Sequence, residues 1–255
     1  MRDKIGKLMS RINISGCLIV YIIYTAVVIC VVTKICCRRI GTVDYCIHDI
    51  FLFDEYNCKL PLLLGQMMIL VIIIRNEFRT MVIMRVKRAW KIFIRVFSKI
   101  AATAFAVSIL QACTVAASSV LVPVSMDCQW ESYEGYPFYL VSGIVEKTDL
   151  SEIIVFYVLI TFFTVTVSGT LMSLLWWLTE TPAVGYVILI IIYFAETGGA
   201  FSKNIFFERI TLKPANVFMN GINISDFIIY TIVVILVLTA VSIIIIKKKN
   251  YLKLH

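Results

Sequence analysis

Apolar residues in this chain fall in long unbroken runs instead of alternating with polar ones. A hydrocarbon layer about 30 Å thick takes roughly 20 helical residues to cross, so such runs mark membrane-spanning helices. Six lie at about 14–33, 60–74, 100–123, 153–178, 183–201 and 227–246. They predict an all-α polytopic membrane protein, with residues 1–255 forming a single transmembrane domain. The second run has only fifteen residues between Lys59 and Arg75, about 22 Å of helix. Snorkelling of those two cations, or local thinning of the bilayer, covers the shortfall. The fifth is interrupted near its end by Glu196 and Gly198-Gly199, which predicts a broken end.

The polar segments between the runs divide by sign. The N-terminus, the 75–99 loop and the C-terminal tail carry four, eight and four basic residues; with the 179–182 turn they hold only three acidic ones. The alternate segments, 34–59, 124–152 and 202–226 with Glu196, hold eight basic and thirteen acidic residues. The positive-inside rule therefore predicts cytoplasmic termini and a cytoplasmic 75–99 loop. An even number of spans agrees with that.

Composition sharpens the class. Of 255 residues, 60% are hydrophobic and 16% charged, and mean hydropathy is +0.93, which excludes an ordinary soluble domain and a disordered chain. The net charge of +8 reads as topology, so no nucleic-acid partner is expected; the lipid bilayer is. Trp90, Trp130, Trp176 and Trp177 all fall near expected interfaces, where indole is favoured. No small-residue cleavage site follows the first run, so it is expected to stay as an anchor.

Residues 75–99 form the longest inner connection. At 100° per residue, Arg85, Arg88, Lys91, Arg95 and Lys99 share one face; Val82, Ile83, Val86, Trp90, Phe93, Ile94 and Phe97 share the opposite one. This predicts an amphipathic cytoplasmic helix over about 76–97, running into the third span because no Gly or Pro lies between Gly65 and Pro123. Two roles fit: lying on anionic lipid, or docking a cytoplasmic partner. Length favours docking, since the next inner connection is just Thr179-Glu180-Thr181-Pro182.

The wording of this stretch carries a resemblance. Asn76-Glu77-Phe78-Arg79, then Ile83-Met84-Arg85-Val86-Lys87-Arg88 with Trp90, then Ser98-Lys99 entering the third span, together with six spans and acidic outer loops, resembles the permease subunits of ATP-binding-cassette (ABC) exporters. The likeness is to the small permeases of bacterial peptide-antibiotic, lantibiotic and bacitracin-type export or immunity systems. The resemblance implies several things. The chain is a non-enzymatic permease in the bacterial cytoplasmic membrane, pairing with a second permease copy and with a cytoplasmic ABC ATPase subunit. Glu77, Arg79, Arg85, Arg88, Trp90, Lys91 and Arg95 would couple to that ATPase. The cargo would be amphiphilic: an antimicrobial peptide, a lipid-like molecule or a hydrophobic drug. It also implies short re-entrant helices between Glu196 and Asp226. No Gly-x-x-x-x-Gly-Lys-Ser/Thr run occurs, so ATP and Mg2+ would enter through the partner.

Within the spans, Gln111 is expected to need a partner or water, because an amide at mid-membrane is costly. With Thr114 and Ser118, and with Thr161, Thr164 and Ser168 of the fourth run, it forms the candidate pathway-lining set. The alternative for the hydroxyls is bonding to their own backbone. Charged residues are confined to span ends, which argues against ion-coupled transport.

Cys46 and Cys58 are placed to close the first outer loop as a disulfide; reduced thiols are the alternative, and a metal site lacks a fourth ligand. An intramembrane protease is disfavoured because His48 and His255 lie outside the spans and cannot serve Ser168. A membrane substrate-binding or scaffold subunit of another transport complex is the competing reading.

Overall fold

The computed structural model describes residues 14–39, 45–51, 59–78, 89–121, 125, 127, 131, 149–197 and 224–248. Among them six apolar helices alternate in direction: α1 (Ile14–Arg39), α2 (Lys59–Ile74), α3 (Ala89–Ser118), α4 (Leu150–Thr179), α5 (Pro182–Thr197) and α6 (Ile224–Lys248). Apart from one bridge between Cys46 and Ser125, no β pairing occurs among the described residues. Four helices, α1, α3, α4 and α6, are long and apolar enough to cross a membrane, and the chain has the character of a membrane protein. The other two have sixteen residues each, about 24 Å. The end at which α1 starts is termed basal, and the other end distal.

α4 is the axis of the bundle. It packs on α2, α3, α5 and α6, while α1 lies against α2 and α3. Half of the most apolar window of α4 is buried, against 11% for α6, so α6 is peripheral and its Ile229, Val233, Leu236 and Val237 face outward. Glycine permits the closest approach. A Cβ on Gly169 of α4 would lie 2.9 Å from both Leu70 of α2 and Ile100 of α3, so three helices meet at a position without a side chain.

α4 and α5 form a tight hairpin. Glu180 adopts φ 63°, the left-handed conformation, and donates its N–H to the Trp176 carbonyl at 2.9 Å. Pro182 opens α5 at the first helical position, where its missing N–H would find no intrahelical partner anyway.

The helix expected over 76–97 and on into the third span is described only at its two ends. Arg75–Phe78 is a 3-10 turn extending α2, and residues 79–88 lie outside the described residues. From Ala89 the chain is already α3, which starts eleven residues before the expected third span. With no Gly or Pro between Ala89 and Ser118, nothing interrupts the helical hydrogen bonds at the expected boundary. The fifth run ends as helix at Thr197; residues 198–223, where re-entrant helices were expected, lie outside the described residues.

Candidate functional site

The basal end holds the expected coupling residues. Lys99 Nζ donates to Glu77 Oε1 at 2.6 Å, with Glu77 12% and Lys99 40% exposed. Beside it, Phe78 stacks on Trp176 with ring centroids 4.1 Å apart and planes within 7°, and meets Trp177 at 4.5 Å. The 3-10 turn is thereby held to α3 by an ion pair and to α4 by an aromatic sandwich. Such ring pairs add about 0.5–1.5 kcal/mol beyond area burial. Both flanks of the basic 79–88 stretch, the 3-10 turn and α3, are thus built into the bundle. Arg79, Arg85 and Arg88 lie outside the described residues.

α3 divides the apolar face of the helical wheel into buried and outward-facing residues. Lys91 and Arg95 are exposed, but so are Trp90 at 50% and Ile94 at 45%, whereas Ile92, Phe93 and Val96 are buried. Trp90 and Ile94 therefore do not belong to the buried face. This helix buries a narrow stripe against α2 and α4 and leaves other apolar residues facing outward, as a bilayer allows. Lys99 leaves the basic face to pair with Glu77 across 22 positions.

Deeper in the bundle, Gln66 of α2 donates from Nε2 to Gln111 Oε1 at 2.6 Å, and Gln111 Nε2 donates to the Tyr157 hydroxyl of α4 at 2.6 Å. All three are buried. Each stands seven residues from the distal end of its helix, about 10 Å in, so three antiparallel helices bring their polar groups to one level. Gln111, expected to need a partner or water, finds two protein partners here. The partners were foreshadowed in the sequence: Gln66 is the sole amide in the second run, and one buried amide predicts another.

The hydroxyls divide. Thr114 Oγ1 donates to the Leu110 carbonyl at 2.8 Å and Ser118 Oγ to the Val115 carbonyl at 2.7 Å, so both turn back on their own helix. Thr161 and Ser168 are buried, as is Thr164, whose Oγ1 has no hydrogen-bond partner among the described residues. The pocket found between α1 and α2 contains none of these residues.

At the distal end, residues 45–51 plug the bundle. Every one of them is buried, including His48 and Asp49. Cys46 precedes a helical turn over 47–51, and Asp49 Oδ2 accepts from the Cys46 N–H at 2.8 Å. That is the backward half of a capping box, with aspartate as its third residue. The Cys46 thiol donates to the same oxygen at 3.2 Å. Ser125 fixes the plug from beyond α3: its N–H reaches the Tyr45 carbonyl at 2.9 Å and its carbonyl accepts from Ile47 at 3.1 Å. Phe51 meets the Tyr157 ring edge-on at 5.3 Å, capping the amide network. Cys46 is thus a reduced, fully buried thiol. The thiol turned inward to its capping carboxylate; Cys58 lies outside the described residues. No group of three or more His, Cys, Asp or Glu side chains able to hold a metal occurs among the described residues.

No family model, curated protein or solved structure matches this chain.

Proposed function

We propose that this chain is the permease subunit of an ATP-driven ABC exporter in a bacterial cytoplasmic membrane. It crosses the membrane six times with both termini inside and moves an amphiphilic substrate by alternating access. Energy comes from a separate cytoplasmic ATPase, which alone binds ATP and Mg2+; two permeases and two ATPases make the working unit.

The observation that carries this reading is the anchoring of the basic segment. Force applied to a surface helix moves the membrane domain only if both of the helix's flanks are fixed in that domain. On one side stands the 3-10 turn with Glu77 on Lys99 and Phe78 on Trp176. On the other, Lys91 and Arg95 stand on the same continuous helix that carries Gln111. A push on 79–95 would therefore reach α3 and α4 together. A helix that merely rests on lipid has no need of two rigid flanks. Charge distribution adds support: the stretches 60–74, 100–118, 153–179 and 227–246 contain no charged residue, leaving no site for a coupling ion at mid-membrane.

The test is co-expression with an ABC ATPase, taken from a gene neighbouring this one if one is encoded there, followed by purification. Wild-type chain is expected to retain the ATPase and to support peptide-stimulated ATP hydrolysis. The Arg88→Glu, Arg95→Glu double variant is expected to lose it. Unchanged recovery refutes the docking role, and failure of the wild type to form any complex refutes the exporter reading.

A further inference from the structure

We draw no further inference here: the strongest candidate, the open apolar groove between α1 and α2 lined by Val20, Tyr24 and Met68, carries none because nothing in the structure shows what covers it.

Discussion

Replacing Gln111 by leucine removes an acceptor from Gln66 and a donor from Tyr157 in one step. Leucine has nearly the same volume, so the cost comes chiefly from the buried amide of Gln66, at about 1–3 kcal/mol for a group left unsatisfied. Gln66→Leu alone strands the Gln111 carbonyl oxygen in the same way. With both replaced, neither amide remains to be stranded. The double variant is therefore expected to lose less than the two singles together, by about 0.6–1.7 kcal/mol, the span measured for polar pairs between membrane helices. For a chain of this size 1 kcal/mol corresponds to about 2–4 °C in Tm, so the shortfall is roughly 1–7 °C. The assay is thermal unfolding in detergent, followed by far-UV circular dichroism, on wild type, both singles and the double. Val233→Ala on the outward face of α6 serves as the additive control. Additivity of Gln66→Leu and Gln111→Leu to within about 0.3–0.5 kcal/mol would refute the network as an energetic unit.

Other outcomes follow from the same geometry. Glu77→Lys and Lys99→Glu are each expected to loosen the 75–78 turn, seen as faster proteolysis after Arg75 or Arg79; the double exchange restores wild-type resistance if the ion pair holds the turn, and restores nothing if it does not. Gly169→Val is expected to destabilise by about 1–3 kcal/mol through overpacking against Leu70 and Ile100. Gly185→Ala is expected to cost less in the same melting assay, because its 2.7 Å neighbour is the flexible Met172 side chain and alanine returns up to about 1 kcal/mol of helix propensity. Glu180→Gly is expected to raise stability by about 0.5–1 kcal/mol by relieving a left-handed φ of 63°; Glu180→Pro, which cannot adopt that φ or donate to Trp176, is expected to lower it sharply.

Hydrophobic runs made the helices legible, because length and the absence of charge are properties each segment carries alone. The hairpin at Thr179–Pro182 was legible for the same local reason. What escaped was everything that depends on a second segment. The wheel for 75–99 set Trp90, Phe93 and Ile94 on one apolar face but could not say which of them meet neighbouring helices, since a wheel knows neither how many helices surround it nor which side chains a bilayer takes. That Gln111 needs a partner was legible, but which partners was not, because they stand 45 and 46 positions away. The 45–51 plug lay in a loop whose histidine, aspartate and cysteine read only as lying outside the spans. Its one local clue was Cys46-Ile47-His48-Asp49, a capping box with a thiol in place of the usual hydroxyl.

That plug imposes an order in time. Its seat is formed by Ser125 and by Ile153 and Tyr157 of α4, which are synthesised some 75 to 110 residues later. At the usual 5–20 residues per second, residues 45–51 wait about 5–22 s after their own synthesis for the last of these partners. During that interval Asp49, His48 and the Cys46 thiol have no buried place to occupy. A pulse of membrane-impermeant maleimide during synthesis is expected to capture Cys46 on nascent chains ending before Ser125, and to miss it on the finished protein. The distal closure of this bundle is thus a late event in assembly, although the residues that make it are among the first to emerge.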